Sequence, residues 1–297
     1  YRLTTRRMSM ASVIVFDYTP ASSSLRLGSW SLGGIYYWSG IALQPAETTE
    51  LGIAAAIREM RQPGFTAALA ALLQTVGSPD NLVFLVYRSS GTPEVLFSQT
   101  RDPTVFAELE GTYLPGAYRL DPYFDLHLTN AVSGAYRLTD IAPDAFLRSR
   151  YFSEYYEQTT LIDEVAFVIN LAPDVTLNLC LGRDTTSARR FSSEDLEACS
   201  RLAPVVSALA ERQWADMATA ASPSEDTVDL LIRTTRLRHG ISLTVRQAEV
   251  AILILRGHSS VSIGLRLGVS PQTVKVFRRQ LYSRCNICSQ AELFVLM

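Results

Sequence analysis

The spacing of apolar positions changes period several times between residues 48 and 215, and each change marks an element. Over residues 48–73, Leu51, Ala54, Ala55, Ile57, Ala68 and Leu72 keep helical spacing, and Pro63-Gly64 must break or kink the helix. Residues 81–87 (NLVFLVY) and 94–99 are short apolar runs separated by Ser89-Ser90-Gly91-Thr92-Pro93, which predicts a β-hairpin. A second pair, residues 165–171 and 175–183, is joined by Ala172-Pro173-Asp174, and its latter half alternates cleanly at Val175, Leu177, Leu179 and Leu181. Helical spacing returns over residues 194–214 at Leu196, Cys199, Leu202, Val205, Val206 and Leu209, behind Ser192 or Ser193 and an acidic first turn. The predicted order is helix, strand, strand, helical insert, strand, strand, helix.

Beyond residue 243 the pattern becomes four short helices with explicit stops. Thr244 and Gln247 form a capping box, Val250, Ile252, Leu253 and Leu255 follow, and Gly257 ends the helix in the left-handed conformation. Residues 260–267 make a second helix closed by Gly268, and Ser270-Pro271 starts a third with an N-cap serine and a proline at the first helical position. Two helices joined by a tight glycine turn are the helix-turn-helix signature. In the third helix Val274, Phe277 and Leu281 share one face, leaving Gln272, Thr273, Lys275, Arg278, Arg279 and Gln280 outward. Arginine, lysine and glutamine at such positions contact phosphates and base edges in the major groove. Ser289 and Glu292 form another capping box at the last helix.

Charge supports that division. Residues 243–297 hold seven basic and two acidic residues, net +5, against −2 for all 297 residues, so residues 1–242 carry −7. A basic tail on an acidic body is the electrostatic footprint of a nucleic-acid module. Lys275 is the only lysine, so residues 1–274 contain neither a P-loop lysine, nor a Schiff-base lysine, nor the lysine of a phosphoacceptor receiver, although residues 13–17 (VIVFD) look like a receiver's first strand. Three histidines and four scattered cysteines, Cys180, Cys199, Cys285 and Cys288, leave almost no material for metal clusters or serine-type triads, and reduced thiols are expected. The segment Ser29-Trp30-Ser31-Leu32-Gly33 lacks the first glycine of a nucleophile elbow, and neither enzymatic activity nor a cofactor is expected. No apolar run approaches the ~20 residues of a membrane span, and the short run behind Arg6-Arg7 stops at Asp17, so neither a membrane anchor nor export is expected.

The C-terminal segment resembles the LuxR-type family on Leu243-Thr244, Arg246, Glu249-Val250, Gly257, Val269-Ser270, Thr273-Val274-Lys275, Tyr282 and Ser289-Gln290-Ala291-Glu292-Leu293-Phe294. The resemblance implies that Thr273, Lys275, Arg278 and Arg279 sit on DNA, that Val274 anchors the recognition helix, and that residues 289–296 form a dimerising helix. Gln247, the stretch Val261-Ser262-Ile263-Gly264, Phe277 and Arg284-Cys285 depart from the family's usual residues, which puts affinity or core stability in question. The order of elements over residues 48–215 is similar to the GAF and PAS class of sensory domains, whose antiparallel sheet carries a ligand pocket on one face. An acyl-homoserine-lactone receptor is one sub-reading, but that subfamily's Trp, Tyr and Asp pattern is not located between residues 30 and 130, and an orphan sensor fits better.

The expected fold is α+β: an unassigned segment 1–47, a GAF/PAS-like sensory domain 48–217, a linker and connecting helix 218–242, and an all-α helix-turn-helix domain 243–297. Ten of the 28 aromatics lie between Tyr113 and Tyr156, either as packing or as the lining of an effector pocket; Tyr118, Tyr123, Phe124, Tyr136, Tyr151 and Tyr155 are the candidate ligand residues. The candidate DNA contacts are Gln272, Thr273, Lys275, Arg278 and Arg279. The expected function is a cytoplasmic, homodimeric transcriptional regulator of double-stranded DNA, modulated by a small molecule or partner at the N-terminal domain. The alternative is a protein-interaction module with weakened or lost DNA binding.

Overall fold

The computed structural model describes residues 48–88, 91–219 and 227–296, together with two short paired strands, β1 (Val15–Phe16) and β2 (Leu27–Gly28). The remainder of segment 1–47, including Asp17 and residues 29–33, the Ser89-Ser90 half of the first turn and most of the 218–224 linker lie outside the described residues.

Helix α1 (Thr49–Arg58) is capped by Thr48, whose hydroxyl accepts from the Leu51 N–H at 3.3 Å, and α2 (Phe65–Gln74) resumes after the Pro63-Gly64 break. Strands β3 (Asn81–Arg88) and β4 (Glu94–Thr100) form the first hairpin. The insert then runs through α3 (Pro122–Leu128), β5 (Gly134–Arg137), α4 (Leu138–Ile141) and α5 (Arg150–Glu154), with single turns between them. Strands β6 (Leu161–Ala172) and β7 (Val175–Asp184) make the second hairpin, and α6 (Ser193–Gln213) follows behind the Ser192/Asp195 capping box.

The five strands form one antiparallel sheet in the order β4-β3-β7-β6-β5. Strand β5 was not expected: four residues carrying a glycine are too short for a periodic signal, and the strand exists because Gly134 to Arg137 pair with Val168 to Val165 at the sheet edge. Because side chains alternate across a strand, the sheet has two distinct faces. Leu82, Phe84, Val86, Phe167, Leu177 and Leu179 point at α1, α2 and α6 and build one core. Val83, Leu85, Tyr87, Ala166, Val168 and Cys180 point the other way, beneath the aromatic insert. The alternation of β7 therefore separates two cores, and both of its faces are buried.

After α7 (Thr227–His239) come α8 (Val245–Arg256), α9 (Ser260–Leu267), α10 (Pro271–Cys285) and α11 (Gln290–Val295). Two stops are those read from the sequence, Gly257 at φ +93° and Gly268 at φ +65°; α10 is closed by Asn286 at φ +54°, a stop the sequence reading did not include. Ser289 accepts from the Glu292 N–H at 3.2 Å, but the Glu292 carboxylate turns back to the Cys288 N–H at 3.2 Å rather than to that of Ser289. Gly264 has a steric reason: a Cβ there would lie 2.7 Å from the Val269 carbonyl oxygen, in the turn that leads into α10. The cost of glycine inside a helix, ~1 kcal/mol, is accepted so that α9 and this turn can touch.

The core beneath the insert does not stop at the sheet. Phe146, Tyr151 and Tyr156 belong to the same contiguous apolar cluster as Val250, Leu253, Ile263, Val274 and Leu281, so the helix-turn-helix packs directly on the insert.

Candidate nucleic-acid interface and interior cavity

Helix α10 is held by its apolar face. Val274 and Leu281 are fully buried, and Ser270 caps the helix by accepting from the Thr273 N–H at 3.0 Å. With that face fixed, Gln272, Lys275, Arg278 and Arg279 are exposed, and Thr273 is half-buried. Arg278 lies over the Tyr282 ring at 5.1 Å, which stiffens it along the helix. Lys275, Arg278 and Arg279 have no ion-pair partner among the described residues, so their charge is open to an external anion.

The docking of this unit on the insert uses polar contacts that the sequence does not advertise. Arg256, the last residue of α8, is buried; its Nη1 donates to Asp125 Oδ1 at 2.6 Å and its Nε to the Arg119 carbonyl at 3.3 Å. Arg266 on α9 reaches the other Asp125 oxygen at 3.2 Å. One residue after Arg256, the Gly257 carbonyl accepts from the Ala145 N–H at 2.9 Å, and a Cβ on Gly257 would meet the Phe146 Cα at 2.9 Å. Asp144 accepts from the Ser259 N–H at 2.9 Å. Burial works against ionisation of Asp144, but the Ser259 hydroxyl and N–H bonds prevail and hold its carboxyl below the usual range. Burial, followed by the positive charge of Arg266, lowers the His258 imidazole to about 4 at this seam.

On the far side of the insert, a cavity of about 40 Å³ lies between it and the sheet, lined by Tyr113, Tyr151, Tyr155, Tyr156, Asp121, Glu164 and Cys180 among apolar residues. Tyr113 donates to Asp121 Oδ2 at 2.7 Å, the Tyr123 N–H to Asp121 Oδ1 at 2.8 Å, and the Tyr151 hydroxyl also bonds this carboxylate. Burial raises Asp121 despite these donors. Burial first, and the charge of Asp121 second, push Glu164 up to about 8, so it is protonated at neutral pH beside the Cys180 thiol. None of the lining residues is basic.

Of the aromatic residues singled out in the sequence, Tyr151 and Tyr155 line the cavity. Tyr118, Tyr123 and Phe124 are buried next to it; Tyr118 donates to the Gly91 carbonyl at 2.9 Å and Tyr123 to the Tyr136 carbonyl at 3.2 Å. Tyr136 is half-buried and donates to the Val132 carbonyl at 2.6 Å. Sequence reasoning missed the two acids. Asp121 precedes Pro122 and reads as an ordinary helix cap, which it also is. Glu164 was legible only if β6 had been extended backwards by period two, which puts it on the insert face with Ala166 and Val168.

Comparison with known proteins gives an independent reading of the C-terminal part. Residues 241–297 match the family of bacterial regulatory proteins of the luxR type. A protein of Aeromonas salmonicida, provisionally assigned as an HTH-type transcriptional regulator in the exeN 3' region, is 28% identical over 183 residues, which is 59% of this chain and 92% of the relative. Among solved structures, the LBD domain of VqsR from Pseudomonas aeruginosa is 25% identical with a TM-score of 0.46, covering 55% of this chain and 94% of that one. Escherichia coli SdiA is 15% identical with a TM-score of 0.36, covering 86% and 91%. The family match covers the four helices α8 to α11 and the exposed cationic face of α10. Residues 241–297 thus form a helix-turn-helix unit that matches the luxR family of bacterial regulatory proteins, carried behind an antiparallel-sheet domain whose helical insert it packs against.

Proposed function

We propose that the protein is a transcriptional regulator that binds double-stranded DNA through α10 and responds to a small molecule at the sheet domain. The observation that carries the reading is the exposed set Gln272, Lys275, Arg278 and Arg279, with half-buried Thr273, on a helix anchored by fully buried Val274 and Leu281. An amide and three cations on one face suit a major groove, where arginine and lysine pair with phosphate or guanine and glutamine with adenine. A single recognition helix reads only a few base pairs, so the active species is a homodimer on an imperfect palindrome. The protein acts in the cytoplasm; among the described residues no helix is long and apolar enough to cross a membrane.

The effector reading rests on the cavity. At about 40 Å³ it has room for a few waters, and a drug-sized effector requires the tyrosines over it to move. Helix α3 gives such a movement a route outward. Asp121, its N-cap, faces the cavity, and Asp125, one turn later, holds Arg256 and Arg266 of the DNA-binding domain.

One observation favours a second reading, a protein-contact module. Val261 and Leu265 are 57% and 81% exposed one turn apart on α9, an apolar pair that DNA does not need.

Selection of bound sites from random duplex DNA by the full chain at two salt concentrations separates the readings. An enriched palindrome is expected. Lys275→Ala and Arg279→Ala should each abolish enrichment, or lower the slope of log affinity against log salt by about one where the contact is to phosphate. No enrichment at low salt would leave the contact-module reading.

A further inference from the structure

A second concavity lies at the seam between the two domains, outside the wall that encloses the tyrosine cavity. It is a cleft of about 840 Å³, within the ~300–1,000 Å³ of small-molecule sites. Its floor is apolar: Leu138, Phe146, Phe152 and Leu161 line it, and Phe152 is stacked on Tyr156 at 5.6 Å between centroids. Two arginines, Arg148 and Arg190, are exposed at its edge, and neither has an ion-pair partner among the described residues. Of the cleft's two acids, Asp163 is paired with a cation and Asp144 is hydrogen-bonded to neutral groups. Asp163 is bound by Arg137 at 2.6 Å and by the Phe191 N–H at 2.9 Å, while Asp144 accepts from Ser259. Asp144 keeps its negative charge, so Arg148 and Arg190 against this one unpaired acid leave the cleft net positive by one, beside an aromatic floor.

We propose that this cleft binds an amphipathic organic acid, its apolar body on the Phe146–Phe152–Tyr156 floor and its carboxylate at Arg148 and Arg190. Guanidinium suits a carboxylate because its planar fork offers paired donors. Solvent screens two exposed arginines, so they select for the anion while the floor supplies most of the affinity. The site is placed to matter. Tyr156 and Leu161 form a wall shared with the interior cavity, and Ser259 at the other end belongs to the helix-turn-helix. An occupant would touch both the cavity wall and one of the hydrogen bonds that dock the DNA-binding domain. That consequence for regulation rests on the function proposed above, whereas the binding itself does not.

The test is isothermal titration of the full chain, without DNA, with decanoate and with decanol. Decanoate should bind more tightly than decanol. Arg148→Ala with Arg190→Ala should weaken decanoate at least tenfold and change decanol less than twofold, and Thr139→Trp, which fills the cleft from an exposed position, should remove both. Three results overturn the proposal: no binding of decanoate to the unaltered protein, equal binding to the double-arginine variant, or loss of binding in Asp121→Asn with retention in the arginine variant, which would put the acid in the interior cavity. If decanoate binds as expected but the protein selects no DNA, the cleft stands and the regulator reading alone falls.

Discussion

Removing the Asp125 carboxylate is the sharpest perturbation of the seam between the domains. The Arg256 side chain is only 9% exposed and makes a 2.6 Å contact with Asp125, whereas Arg266 is 44% exposed. A hydrogen bond to a charged group contributes about 1.5–3 kcal/mol, and stranding a buried charge costs more, up to ~3–5 kcal/mol. Arg256 keeps its bond to the Arg119 carbonyl, which moderates the loss, and the exposed Arg266 bridge adds at most ~0.5 kcal/mol. Asp125→Ala should therefore cost about 2–3 kcal/mol, and a cycle with Arg256→Ala should give a coupling of about 2 kcal/mol. Urea denaturation of the four proteins by far-UV circular dichroism measures it. The exposed Glu197–Arg201 pair on α6, 72% and 68% accessible, serves as control and should couple by less than ~0.5 kcal/mol. A coupling for Asp125 and Arg256 as small as the control's would refute the docking argument.

Glu164→Gln should stabilise the protein at high pH. A carboxyl with a folded pKa of about 8 favours folding below its unfolded value near 4.5, and that stability is lost as pH rises toward 8. The variant should gain about 2–4 kcal/mol at pH 8.5 and almost nothing at pH 4, read by urea midpoints, and a gain independent of pH would contradict the assignment. His258 has the opposite sign. With a folded value of about 4, its contribution is complete above 6.5 and disappears as pH falls toward 4, so His258→Gln should flatten the acid limb by ~1–3 kcal/mol. Gly264→Ala should destabilise by about 1–3 kcal/mol although alanine is the better helix former, because its Cβ would meet the Val269 carbonyl at 2.7 Å; a stabilised variant would remove the close-packing explanation.

What the sequence revealed and what it hid differ in range. Capping boxes, glycine stops and the Ser270-Pro271 start act within four residues, so the limits of α8 and α9 and the start of α10 were legible, whereas the Asn286 cap that ends α10 was not read. The alternation of β7 is equally local, since each side chain's face depends only on its parity. Strand β5 depends on a partner some thirty residues away, and no local pattern encodes it. The same holds for the cavity. Tyr113, Tyr151 and Asp121 meet because α3, α5 and the preceding turns fold over one sheet face, and the aromatic density of the insert announced packing without saying which rings would share a wall. Arg256 is the extreme case: it reads as a dipole-complementing cation at a helix end, yet its partner lies 131 residues away.

These long-range contacts converge on one short helix. Asp121 and Asp125 stand four residues apart on α3, and the Asp125 N–H bonds the Asp121 carbonyl at 3.2 Å, so the two carboxyls are joined by a single turn. One bonds three groups around the tyrosine cavity, and the other bonds two arginines of the helix-turn-helix domain. Both carboxyls thus belong to one hydrogen-bonded repeat of the helix, with no further turn between them. Movement of Tyr113 or Tyr151 that released Asp121 would therefore shift Asp125 with it. The α8–α9 turn would have to follow or lose its clamp, while the opposite contact, Gly257 against Phe146, leaves no room to absorb the shift.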